Sequence, residues 1–416
     1  MISLKPLLFT IIIISKLNFS FENHISYPFK KKKNSKKSDL YNLIENNLEI
    51  ILEIGTPPQK MNLRLQSRLY QFFIISSQIK SDIIKFNEKN SSTFKKLLES
   101  EMRVIASGMK KGNLIEESLK INNNQINNIS LILATEIENI ESGALGLRLI
   151  KDPEKYIGTS FIYQIKKLCN LDNYGFFLNF FDDDNGEIII GTYPHLINKT
   201  YNEKNFIYKY TGMEKNTLFW IIDFEFLRYD NEIIKNAINF KGFIDVEFGL
   251  ISAPYNMQFY FKENYLNIKS CHSELTNNYY IYICDLNYQI ENLKNISFQM
   301  KGINYSFNFT YQELFIKNNN KYVFSIVFTN NEEIKYWIMG EKFLRKYKLI
   351  FDLDKKIIGF YTHSKESSSF YILLFLLVIF IVITMLLLLY IFFRLKKPRK
   401  IRANELEDDN YDYTPS

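Results

Sequence analysis

The stretch EIGTPPQKMNLRLQSRLY, residues 53–70, decides the fold class. Apolar and polar residues alternate through 47–55 (NLEIILEIG) and again through 61–66 (MNLRLQ), with turn residues between them, which is the pattern of half-buried strands. The same reasoning predicts strands at 71–76, 187–191, 220–229 and 295–300. Helical periodicity is scarce, and SFIYQIKKL at 160–168 is the clearest case. We therefore predict an all-β protein with a few short helices.

The composition agrees with this prediction. The 416 residues are 46% hydrophobic and 16% aromatic with only 15 Gly, which is enough apolar material for sizeable cores. Two basic segments, KKKKNSKK at 30–37 and the cluster at 394–402, account for most of the net charge of +7, so no nucleic-acid partner is implied. We expect 21–44 to be a short, solvated and cleavable basic leader, although a basic arm that binds acidic surfaces remains an alternative.

Two apolar segments predict the cellular location of the chain and its topology in a membrane. Residues 1–20 have the layout of a secretory signal peptide, with a short buried strand as the alternative. Residues 370–393 carry no charge and, at about 1.5 Å per residue, are long enough to cross a hydrocarbon core of roughly 30 Å. Basic residues crowd the C-terminal flank, which predicts a single-pass type I protein with a cytoplasmic tail at 394–416. The expected location is a secretory-pathway membrane or the cell surface.

The body of the chain between the two apolar segments, the ectodomain, would then lie in an oxidising compartment, where disulfides can form. Cys271 and Cys284 flank a hairpin-sized segment, so we predict that they form a disulfide and that Cys169 stays free. Glycosylation sequons begin at asparagines 90, 128, 198, 295, 304 and 308.

A weak internal repeat divides the ectodomain. NLRLQSR at 62–68 and GFIDVEF at 242–248 each run along a predicted strand into a short polar or acidic cluster. We predict two similar lobes, at 45–205 and 206–365, that each contribute one loop to a shared cleft. A peptide or protein ligand would bind in this cleft, and we expect a monomer without a metal or cofactor.

Six motifs in order resemble one family, the pepsin-like aspartic proteases. They are IGTPPQ (54–59), FNEKNSSTF (86–94), GALGL (143–147), GEIIIG (186–191), FW (219–220) and YWIMGEKFLRKY (336–347), the last followed by FD (351–352) and IGF (358–360). The resemblance covers about 45–363 and implies a bilobal β fold, in which two Asp-Thr-Gly loops meet at the base of a peptide-binding cleft.

The resemblance also locates the catalytic positions, and these depart from the family. Gln66 stands where the first Asp is expected and Asp245 stands at the second. The family's mechanism needs two nearby carboxylates that share one proton, and an amide cannot take up a proton at useful pH. Asp245 is therefore the one surviving candidate catalytic residue.

Neighbouring positions differ as well. Val246 replaces a Thr that donates a hydrogen bond, and Ile105 stands where the flap of the family has Tyr. Arg68 and Glu247 occupy the two Gly positions, where glycine permits close approach of the backbones. Because these positions correspond across the pseudo-twofold axis, we predict that Arg68 pairs with Asp245 or Glu247.

Three functions remain open at this point. The first is a catalytically inactive homologue that binds peptides or proteins. The second is an active aspartic endopeptidase in which Asp245 works with a helper such as Glu247. The third is a structural surface glycoprotein that uses the fold as a scaffold. An open cleft favours the first of these over the third.

Overall fold

The computed structural model describes residues 24–97, 102–104, 108–121, 124–138, 141–150, 160–211, 219–266, 269–362 and 368–395. The predicted signal peptide at 1–20, the flap position Ile105 and most of the tail at 394–416 lie outside the described residues. The body of the chain up to Tyr361 forms one unit, and Thr362–Ser416 forms another.

The first sheet has 14 strands and contains the opening stretch of the sequence. The strands are β1 Ile25–Lys31, β2 Leu48–Ile54, β3 Gln59–Gln66, β4 Phe72–Ile75, β5 Lys95–Lys96, β6 Met102–Val104, β7 Met109–Ile121, β8 Asn124–Ile137, β9 Gly143–Gly146, β10 Gly175–Phe180, β11 Asn185–Ile190, β12 Phe206–Tyr210, β24 Ile350–Asp352 and β25 Ile357–Tyr361. Their order across the sheet is β12-β25-β24-β10-β11-β1-β2-β3-β9-β4-β8-β7-β5, with β6 paired to β7.

The second sheet has 11 strands and lies in the C-terminal half of the body. The strands are β13 Ile221–Tyr229, β14 Glu232–Ile244, β15 Ile251–Ala253, β16 Cys271–Thr276, β17 Tyr279–Asp285, β18 Ile296–Met300, β19 Ser306–Phe309, β20 Phe315–Asn318, β21 Lys321–Phe324, β22 Ile326–Thr329 and β23 Trp337–Met339. Their order is β19-β18-β13-β14-β23-β15-β22-β17-β21-β20, with β16 paired to β17. All six strands predicted from the sequence are present.

Seven α-helices occur in the described part of the chain, most of them short. The predicted helix is confirmed as α2, which ends at Asn170 in the left-handed conformation (φ 52°). The helices are α1 Asp39–Ile44, α2 Phe161–Cys169, α3 Pro194–Ile197, α4 Tyr255–Asn264, α5 Tyr311–Leu314, α6 Glu341–Tyr347 and α7 Ser368–Leu395.

The leader differs from the expected solvated segment. Residues 25–31 form β1, which pairs antiparallel with both β11 and β2 inside the first sheet. Ile25, Tyr27 and Phe29 are buried, while the residues between them are more exposed. Lys31 also pairs with Glu341 at 2.6 Å. Alternation of apolar residues thus outweighs the neighbouring lysine run, because a strand can bury one face and leave its charges on the other.

The two sheets repeat one local arrangement, which explains the internal sequence repeat. In the first sheet β9 lies parallel to β3 and antiparallel to β4, and β4 lies parallel to β8. In the second sheet β23 lies parallel to β14 and antiparallel to β15, and β15 lies parallel to β22. β3 and β14 therefore occupy equivalent positions. Each runs directly into one of the two candidate loops.

The segment after Tyr361 is a single described helix, α7. Its side chains are described for residues 377–392. Within the described residues no helix is long and apolar enough to cross a membrane.

Candidate functional site

Two loops meet at the junction of the sheets, as the sequence repeat predicts. The first follows β3 at Gln66, whose backbone carbonyl accepts a hydrogen bond from the Leu147 amide at 2.8 Å. The second follows β14, and the Asp245 amide donates to the Met339 carbonyl at 3.1 Å. Each loop is thus hydrogen-bonded to the end of the strand that runs parallel to the strand preceding that loop. This anchoring positions the polar side chains of both loops toward one another.

The contact between the loops is an ion pair. Arg68 donates to Asp245 Oδ2 from Nε at 2.9 Å and from Nη2 at 2.6 Å. The Asp245 side chain is only 5% exposed, whereas that of Arg68 is 56% exposed. The predicted pairing of Arg68 with Asp245 is therefore confirmed. Asp245 lies at the buried floor of the site, and the arginine covers it from the solvent side.

Ser67 completes the connection between the lobes. Its hydroxyl donates to Asp245 Oδ1 at 2.9 Å and accepts from the Val246 amide at 3.1 Å. The Glu247 amide donates to the same Asp245 oxygen at 3.0 Å. The Asn46 side chain donates to the Val246 carbonyl at 2.8 Å. The loop around Asp245 is therefore bound to the first lobe through side chains and backbone together.

These contacts occupy the Asp245 carboxylate. Its two oxygens accept four hydrogen bonds, two from Arg68, one from Ser67 and one from the Glu247 amide. A carboxylate offers about four lone-pair sites, so these four hydrogen bonds use most of its acceptor capacity. The opposite loop presents Gln66 in place of a second acid. At these two positions the loops therefore contribute one carboxylate and one amide.

Charge at the site is distributed unevenly. The Asp245 carboxylate raises the pKa of Arg68 further above its usual range, with a smaller contribution from Glu247. Burial raises the pKa of Glu247 to about 8, and the negative charge of Asp245 adds to this shift while Arg68 and Arg64 oppose it. The ion pair therefore lies beside a carboxyl group whose burial favours its protonated form.

Glu247 and Asp245 face different spaces. Asp245 lines a cavity of about 750 Å³, and Glu247 lines a second cavity of about 670 Å³. Arg68, Tyr279 and Ile334 line both cavities, so the two cavities adjoin one another. Within the described residues, Glu247 Oε2 and Gln66 Oε1 are buried without a hydrogen-bond partner. Glu247 is therefore not placed to share a proton with Asp245 in the first cavity.

The disulfide prediction is confirmed. Cys271 and Cys284 are bonded and lie opposite one another in the β16–β17 hairpin, and Cys169 is free. Asn277 and Asn278 both have positive φ (50° and 65°), the geometry of a two-residue turn that matches strand twist. The bond thus closes a tight hairpin whose turn lies beside the second cavity.

Some site residues were not predicted from the sequence. Asn46 and Tyr279 both contribute to the site, yet neither belongs to a recognised motif. Asn46 precedes β2 and is fully buried, a position that sequence spacing does not reveal. The flap hairpin is present as β6 and β7, with Gly108 at φ 73°, while the departure at Ile105 lies outside the described residues.

The fold and the paired loops define a class of protein. A family model described as eukaryotic aspartyl protease matches residues 49–363, and the chain belongs to this family. The chain is also similar to pregnancy-associated glycoprotein 2 of Bos taurus, at 24% identity over 325 residues that cover 74% of this chain and 80% of the relative.

Proposed function

We propose that this protein is a catalytically inactive member of the aspartyl protease family that binds peptide or protein segments in its cleft. The observation that carries the proposal is the ion pair of Arg68 with Asp245 in place of two acids that share a proton. Catalysis by the family requires one acid that is charged and one that is protonated within the same water-binding space. Gln66 cannot take either role.

The size of the cleft supports peptide binding. Cavities of about 750 and 670 Å³ lie on the two sides of Arg68. Ligand sites in proteins commonly measure about 300–1,000 Å³, so the ion pair leaves room for a ligand. A cleft filled by side chains would instead have favoured the structural glycoprotein.

An acid-pH cleavage assay tests the loss of catalysis. The full chain is incubated with a mixed peptide library, next to Gln66→Asp and Asp245→Asn variants and an active pepsin-like enzyme as positive control. We expect no turnover from any of the three chains, because Arg68 still neutralises Asp245 in the Gln66→Asp variant. Turnover by the unmodified chain that disappears in Asp245→Asn would establish the alternative, an active endopeptidase that relies on Asp245.

The proposal includes a membrane anchor at 370–393 and an ectodomain in the secretory pathway or at the cell surface. It rests on the uncharged sequence of this segment and the basic residues that follow it. Glycosylation in the secretory pathway is part of the same proposal. It is supported by the exposure of the asparagines of all six sequons and by the similar bovine protein, which is named a glycoprotein. Alkaline carbonate extraction should leave the full chain in the membrane pellet and release a chain that ends at residue 366. Release of both would refute the anchor.

A further inference from the structure

The larger cavity has an aromatic wall that is open to a ligand. Phe219, Phe243 and Tyr336 form a row with ring-centroid distances of 5.8 and 4.3 Å. The Phe219 and Phe243 rings are half-buried, and Tyr336 is 37% exposed. All three line the cavity of about 750 Å³ beside Asp245. Partly exposed rings in a concave site gain free energy when an aromatic or aliphatic side chain covers them.

The charged residues of this cavity are mostly positive. Arg68, Lys241 and Lys335 line it, against Asp245 as the single acidic residue among the described lining residues. Asp245 is already neutralised by Arg68, so its charge does not offset that of Lys335. Lys335 is exposed at the edge of the cavity. A ligand that enters therefore meets an excess of positive charge.

Arg68 also keeps donors for a ligand. Two of its five N–H groups are directed at Asp245, and the rest have no partner in the part of the chain that the structure describes. Its side chain is 56% exposed and lines the cavity. A guanidinium with unused N–H groups is suited to a second carboxylate oxygen, because hydrogen bonds to charged acceptors are the stronger ones.

From these features we infer that the cavity selects acidic peptides, in which a carboxylate lies next to an aromatic or aliphatic side chain. The inference rests on the proposed peptide-binding function and specifies its ligand. The carboxylate binds between Arg68 and Lys335, and the neighbouring apolar side chain packs on Phe219, Phe243 and Tyr336. In this respect the cleft floor differs from a floor with two acids, which would repel an acidic peptide.

Fluorescence polarisation with three decapeptide pools tests the inference. Each pool is fluorescein-labelled and amidated, with a fixed central Phe followed by Glu, Gln or Lys and random residues elsewhere. We expect the full chain in detergent micelles to bind the Glu pool about fivefold more tightly than the Gln pool, and the Lys pool most weakly. A fourth pool with Gln at that position and a free C-terminus shows whether a terminal carboxylate can replace the acidic side chain.

Two charge-reversal variants provide the control. Lys335→Glu should abolish the preference for the Glu pool, whereas Lys317→Glu, which changes an exposed lysine outside this cavity, should leave it intact. Equal binding of all pools, or a preference that persists in Lys335→Glu, overturns the inference and leaves peptide binding in place. Failure of every pool to bind refutes the proposed peptide binding as well.

Discussion

Replacing Arg68 with Met tests whether the ion pair between the lobes stabilises the fold. The substitution keeps an unbranched apolar stem and removes the charge, so that the buried carboxylate of Asp245 loses its counter-ion. Breaking a buried pair in this way costs about 3–5 kcal/mol. The exposure of Arg68 and the hydrogen bonds from Ser67 and Glu247 reduce this cost. We expect a loss of about 2 kcal/mol in the free energy of unfolding.

Tryptophan fluorescence during thermal or urea unfolding measures this loss. The two tryptophans of the chain, Trp220 and Trp337, are each 1% exposed and report directly on the opening of the body. A loss of about 2 kcal/mol corresponds to a decrease in Tm of about 3 °C for a body of this size. Lys95→Met serves as a matched control, because Lys95 pairs with Glu116 at 3.4 Å on the surface with a side chain 64% exposed.

A double-mutant cycle with Asp245→Asn measures the interaction energy of Arg68 with Asp245, apart from the contacts that each side chain makes elsewhere. If the loss in Arg68→Met comes from an uncompensated carboxylate, adding Asp245→Asn should recover part of it, with a coupling energy of about 1–2 kcal/mol. The reasoning is refuted if Arg68→Met is no more destabilising than Lys95→Met and the cycle gives no coupling.

Two further predictions follow from the site and the hairpin. Because the pKa of Glu247 is raised to about 8 in the folded chain, the folded state holds a proton that the unfolded state releases near pH 4.5, its ordinary value. The contribution of Glu247 to stability should therefore be fully present below pH 4.5 and decline as the pH rises toward 8, and over this range urea titrations of Glu247→Gln should show a smaller fall than those of the unmodified chain. Replacing Cys271 and Cys284 together by Ser should lower the free energy of unfolding by about 2–3 kcal/mol, since the bond closes a loop with a sequence separation of 13. An unchanged urea midpoint in the Ser variant, or a pH profile that Glu247→Gln leaves as steep as before, would contradict the respective prediction.

Local sequence was sufficient for much of the fold. The strands at 47–55 and 61–66 were predicted because alternation is a property of neighbouring residues, and β2 and β3 carry it. The hairpin disulfide could also be predicted from the sequence, since only a short segment separates its two cysteines. The strand at 25–31 was missed for a local reason. Its alternation runs directly into the lysine run at 30–37, and the charges concealed the buried face.

The sequence by itself determined that the two loops carry one amide, Gln66, and one carboxylic acid, Asp245, because residue type fixes which side chain can carry a proton. Only the tertiary structure decided which partner the carboxylate binds. Arg68 and Asp245 are 177 residues apart, and no local pattern predicts that the guanidinium binds Asp245 Oδ2. The position of Glu247 in a separate cavity was likewise decided by the packing of two sheets. Contacts between distant segments depend on how whole layers pack, whereas strands and turns depend on neighbours in the chain.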